Sequence, residues 1–237
     1  MAPVVVNRRE IAPRNGGLSV FLTVAFTVSW AFWLPLVIQA QTSGLPHVPW
    51  TFFLASAGPA AGAAAAAAWE GGVEGVRARA RRTFSLRFAP VWWLVGIGLP
   101  VAYFLIGHIT AALTSGRRPD PDQFGVTSKL PGLSWPLVAL VWVVTFGVGE
   151  EAGWRGWLQP ALTRRMPAFW SSMIVAGIWI SWHAPAFLFN PTYTAMGAGA
   201  VGWMLALISG SFLLAWMAVG AAWSIIPVLA GTRDLTY

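Results

Sequence analysis

Uncharged apolar runs long enough to cross a bilayer recur along this chain, and nothing constrains its fold more. From Leu18 to Ala40, and again from Val201 to Gly231, not one ionisable residue appears. A helix needs about 20 such residues to span the hydrocarbon core. With 57% hydrophobic and only 10% charged residues in 237, no soluble domain fits. Backbone amides in lipid must be satisfied internally, so the expected class is all-α: a polytopic transmembrane helical bundle. The whole chain, 1–237, reads as one membrane domain of six spans plus a curtailed C-terminal helix.

The first span is expected over Leu18–Ala40, retained as a helix because it is longer than a secretory leader's apolar core and lacks a good small-residue cleavage site. The second runs from about Val48 to Trp69. It contains Gly58-Pro59-Ala60-Ala61-Gly62, a small-residue spacing that admits a close neighbour, with Pro59 kinking the helix or opening its regular part. Residues 70–90, carrying Arg77, Arg79, Arg81, Arg82 and Arg87, read as a solvated loop. Further spans are expected over Val91–Leu113, from Trp135 to about Met166, over Ala168–Phe189, and from Gly199. Asp120, Asp122 and Pro131 mark 114–134 as irregular, and Gly220 with Pro227 predicts a break before a short last helix after Trp223.

Net charge is +7. The arginines lie between spans, so topology explains them and nucleic acid does not. With the N-terminus in the cytoplasm, the inner segments hold Arg8, Arg9, Arg14, the five arginines of 77–87, Arg155, Arg164 and Arg165. The outer ones hold Arg117, Arg118 and Lys129. The bias toward cytoplasmic Lys and Arg therefore predicts an integral membrane protein with its N-terminus inside.

Within this apolar frame stands Glu150-Glu151-Ala152-Gly153-Trp154-Arg155-Gly156-Trp157-Leu158, after a charge-free run from Trp135 to Gly149. Ionisable residues inside a span are expensive unless paired and mark functional sites by default. Glu151 and Arg155 form an i,i+4 pair with the acid N-terminal, the better orientation. Glu150 lies about 100° round the axis and is left for chemistry. The rival reading is a helix leaving the bilayer, where Glu, Arg and Trp are common. Gly149, Gly153 and Gly156 on one stripe argue against it, since an exposed helix end has no use for close helix contact.

Elimination narrows the chemistry. There is no cysteine and no HExxH, and the aspartates at 120, 122 and 234 lie in a loop and the tail. Ser211 has no histidine placed to activate it, and His108, near a span end, is set aside. His183, in Trp179-Ile180-Ser181-Trp182-His183-Ala184-Pro185, is the other ionisable residue well inside a span, and Pro185 should open the helix beside it. A carboxylate can take a proton from water, and an imidazole can hold or polarise the same water or an oxyanion. The geometry expected is Glu150 and His183 close enough to share a water, with the Glu-bearing helix continuous to about Arg164.

The Glu150-Glu151-x-x-x-Arg155 stretch resembles the first motif of the CAAX-protease and bacteriocin-processing family of intramembrane proteases (CPBP, or Abi). Trp179-x-x-x-His183 resembles its second, with Trp where Phe is usual. The resemblance covers about 134–232. It implies a membrane endopeptidase in which Glu150 activates water, Glu151 and Arg155 support it, and His183 completes a catalytic or metal site, a divalent ion such as zinc included. The implied partners are the bilayer and a peptide or protein substrate, lipidated substrates among them. The family's third motif, His-x-x-x-Asn, is expected near 229–236. There the chain reads Leu-Ala-Gly-Thr-Arg-Asp-Leu-Thr, and no histidine follows His183. Two further readings stay open: a non-catalytic membrane relative that keeps the fold, and a transporter using Glu150 and Glu151 for proton coupling.

Overall fold

The computed structural model describes residues 16–44, 47–116, 127 and 130–231. The N-terminal arginines, Asp120, Asp122, Arg117, Arg118, Lys129 and residues 232–236 lie outside that range. Among the described residues every regular element is helical: α1 (Gly17–Thr42), α2 (Ala57–Thr83), α3 (Val91–Ser115), α4 (Trp135–Thr163), α5 (Ala168–Trp182), α6 (Pro191–Thr194), α7 (Gly199–Gly220) and α8 (Ile226–Gly231). Five stretches among those residues are long and apolar enough to cross a membrane: Gly17–Thr42, Trp50–Thr83, Trp135–Thr163, Ala168–Leu188 and Gly199–Gly220. The element at the remaining expected position, α3, is a helix of 25 residues.

Small residues set the packing. On α1 the buried positions are Gly17, Phe21, Ala25, Ser29, Trp33 and Leu36, a stripe with helical period. Gly58 and Gly62 of α2 lie on that stripe. A Cβ at Gly62 would stand 2.7 Å from the Phe21 carbonyl oxygen, and one at Gly58 would collide with Ser29. The contact is sealed by Ser29 Oγ donating to the Ala55 carbonyl (2.6 Å) and Trp33 Nε1 donating to Phe52 (3.1 Å). A 3₁₀ turn over Trp50–Ser56 leads into α2, and Pro59 stands in the first turn of the regular helix. A proline is tolerated there because early helical N–H groups have no intrahelical partner.

The solvated loop expected over 70–90 is a correction. Helix continues to Thr83, broken only at Gly71 and Gly72, where Gly72 takes a φ of 59°. Beyond the break the chain doubles back, so that a Cβ at Gly75 would stand 2.5 Å from the Ala67 carbonyl oxygen. Ala, Glu and Arg are strong helix formers, and a charge run rich in them carries no instruction to be irregular. Glu70 pairs with Arg79 (3.6 Å) and Glu74 with Arg77 (3.5 Å) along this segment. Its end is tied to the bundle: Arg82 Nη2 donates to the Gly156 carbonyl (2.8 Å), and Ile225 N donates to Thr83 (2.9 Å).

The expected break near the C-terminus is present. α7 stops at Gly220, whose α-hydrogen faces the Trp92 indole where any side chain would clash. Ala222 and Trp223 take left-handed φ values of 54° and 68°, and α8 then packs Pro227 against Gly96 of α3.

Candidate functional site

α4 runs unbroken from Trp135 to Thr163, as the motif spacing predicts, but not as a plain α-helix. Val143–Glu150 and Trp154–Leu158 are wound as π-helix, with Glu151–Gly153 as α-helix between them. Such wide turns inside α-helices are often found at functional sites. The glycine stripe presses this stretch onto α2. Added Cβ atoms would stand 2.6 Å from the Ser56 carbonyl oxygen at Gly149 and 2.5 Å from that of Pro59 at Gly153. The reading of the motif as an exposed helix end is thereby excluded. Glu150 is 4% exposed, Glu151 1% and Arg155 0%.

Glu151 and Arg155 form the expected pair, with Nη1 donating to Oε1 at 2.8 Å. The guanidinium also lies over the Trp179 ring, 4.7 Å from its centroid, where the π face attracts a cation. Glu151 Oε2 and Arg155 Nε and Nη2 are buried with no partner among the described residues. The pair thus makes one strong bond where a forked one would make two.

Glu150 points elsewhere, as its position on the helix requires. Its Oε2 accepts from Trp179 Nε1 at 2.8 Å and more weakly from Trp154 Nε1 at 3.4 Å. Trp179 is also the link to His183, whose Nδ1 lies 2.8 Å from the Trp179 carbonyl oxygen. A carbonyl can only accept, so Nδ1 carries the hydrogen and the neutral ring keeps its lone pair on Nε2. The α-helical ladder of α5 ends at Trp182, and a 3₁₀ turn over Ala184–Leu188 follows, so the helix opens beside His183 as Pro185 predicts. One residue therefore joins the glutamate and the histidine: its indole holds the first and its carbonyl holds the second.

Aromatic rings wall the histidine. Trp182, Trp203 and Tyr193 have ring centroids 4.8, 5.2 and 5.8 Å from that of His183, with Trp33 at 6.1 Å. Trp179 as a donor, Trp154 and Tyr193 were not legible as site residues. In a chain with sixteen tryptophans nothing in the spacing marks one that serves a carboxylate. For Tyr193 the usable signal is Asn190-Pro191, since Asn followed by Pro is a helix start. It caps α6, the single turn that presents Tyr193.

Among the described residues no three His, Cys, Asp or Glu side chains gather as a metal site. Catalytic zinc is held by three protein ligands. Glu150 and the free Nε2 of His183 supply two donors, while Glu151 is engaged by Arg155. The described residues do not fit a zinc ion held in that way.

No curated protein matches the chain. Residues 132–226, which include Glu150, Glu151, Arg155, Trp179 and His183, match the family described as type II CAAX prenyl endopeptidase Rce1-like, a domain match consistent with an intramembrane protease of the CPBP type.

Proposed function

We propose that this membrane protein is an endopeptidase that uses Glu150 as general base toward a water also held by His183. The substrate class follows the matched family's description: a protein or peptide carrying a prenylated CAAX terminus at the membrane. The observation that supports the reading is the Glu150–Trp179–His183 link, which engages Glu150 Oε2 and His183 Nδ1 and leaves Glu150 Oε1 and His183 Nε2 for a water. One hydrogen of the water is donated to His183 Nε2, which orients it. The other passes to Glu150 as the oxygen attacks the scissile carbonyl. Trp179 and Trp154 hold the carboxylate's angle, and the Arg155–Glu151 pair fixes the turn of α4 that bears it.

Residues 229–236, which carry no histidine where the third motif is expected, support a second reading, a relative that binds such peptides without cleaving them. One experiment separates the two. The full chain is reconstituted in lipid vesicles with a quenched fluorogenic peptide ending in a farnesylated CAAX sequence. Cleavage is expected, and Glu150→Gln should reduce kcat roughly 10²–10⁴-fold, the usual worth of a positioned acid–base group. A folded wild-type protein that binds the peptide and leaves it intact would overturn the proposal in favour of the binding reading.

A further inference from the structure

Tyr193 is not among the residues that the motifs single out, yet it is built into the site with some care. Asn190 Oδ1 accepts from Thr192 N (3.0 Å), and the Asn190 carbonyl accepts from Tyr193 N (2.9 Å) and Thr194 N (3.0 Å). Pro191, at the first helical position, needs no N–H partner. Asn190 N in turn donates to Ala186 in the turn that follows His183 (2.9 Å). Ala186 N donates in turn to the His183 carbonyl (2.9 Å), so α6 is tied to the histidine through the turn between them. Its one turn carries a ring packed on His183, on Phe187 at 5.1 Å and on Trp203 at 5.5 Å.

The residue is 5% exposed, and no hydrogen bond to another described residue engages its hydroxyl. Its ring stands against His183, the residue that Trp179 links to Glu150. Burial, and then the charge of Glu150, hold the hydroxyl above its ordinary pKa, so it is a neutral donor.

We infer that Tyr193 is a further catalytic residue, donating its O–H to the oxygen of the scissile carbonyl as that oxygen becomes negative. The inference rests on the hydrolytic reading above. In the step, the water oxygen forms a bond to the carbonyl carbon and a water proton goes to Glu150. The carbonyl π pair moves onto oxygen, which is met by the Tyr193 O–H. When the intermediate collapses, the C–N bond breaks and the leaving nitrogen takes the proton from Glu150. Tyr193 remains protonated throughout, so peptide plus water gives acid plus amine with nothing left over.

The test is Tyr193→Phe, which keeps the ring and removes only the donor. With the farnesylated peptide in vesicles, kcat should fall roughly 10²–10³-fold, the effect of deleting one oxyanion donor. KM and the thermal midpoint should stay at the wild-type values. Unchanged kcat, or a loss of activity that tracks a loss of thermal stability, would overturn the assignment. A second measurement decides even if the wild type proves unable to turn over. Affinity is measured for a phosphinate analogue of the same peptide, whose tetrahedral anion copies the intermediate, and for the parent amide. The inference expects Tyr193→Phe to lose phosphinate affinity selectively, by tenfold or more. Equal loss for both ligands, or none, would overturn it, whereas absent cleavage alone would overturn only the hydrolytic reading.

Discussion

Deleting the guanidinium of Arg155 tests whether the ion pair organises α4. At 2.8 Å, with both side chains essentially inaccessible, the attraction at an effective dielectric near 20 is about 6 kcal/mol before desolvation. What is lost on breaking such a pair is smaller but large for one residue, about 3–5 kcal/mol, because a buried carboxylate is left without its counter-charge. Arg155→Ala also removes the cation over Trp179, the residue that positions Glu150. Glu151→Gln should be milder, about 1–2 kcal/mol, the scale of a hydrogen bond to a charged group. Gln still offers Arg155 an oxygen, and the guanidinium keeps the Trp179 face and the nearby charge of Glu150. The assay is thermal unfolding of both variants and the double variant in one detergent. For a chain of this size about 2–4 °C is lost per kcal/mol, so Arg155→Ala should fall by roughly 6–20 °C. The double variant should be more stable than Arg155→Ala alone, because no unpaired carboxylate remains. Equal midpoints for the two single variants would refute the reasoning and mean that water reaches the pair.

Two further outcomes are expected. Trp179→Phe removes the short indole bond to Glu150 and leaves the longer one from Trp154; kcat on the fluorogenic peptide should drop about tenfold or more, the worth of ~1.5–3 kcal/mol for a charge-assisted bond. An unchanged kcat would show that the indole does not orient the base. Reporter fusions at residue 80 should report the cytoplasm, following the arginine asymmetry, and a reporter active only outside would reverse the proposed orientation.

The parts of the site legible in the sequence were those written in charge. Glu151 and Arg155 stand four apart, and a four-residue step keeps two side chains on one face. His183 beside Pro185 was readable because a ring without an N–H must disturb the ladder next to it. The glycines of α4 and α2 were readable through close approach, since no other residue gains from having no side chain there. The remainder was hidden for physical reasons. Trp179, Trp154 and Tyr193 perform polar tasks with mostly apolar bodies, and among so many aromatic residues the N–H or O–H that matters leaves no mark on hydropathy. The segment after Glu70 was misread because its charges were equated with irregular chain. Its Ala, Glu and Arg favour helix, and only the paired glycines at 71 and 72 interrupt it.

The π-wound turns of α4 have a consequence for how the helix divides its duties. Each such turn sets the winding out of phase with a straight α-helix. Before the first, Leu137 and Leu140 look outward; from Gly149 to Leu162 almost every side chain is enclosed by protein. The wide turn works as a phase shifter between those two halves. The outer half is thereby free to drift in sequence to suit a bilayer, while the angular setting of Glu150 and Glu151 is fixed locally by their own neighbours. Chemistry and anchorage share one rod without sharing one register.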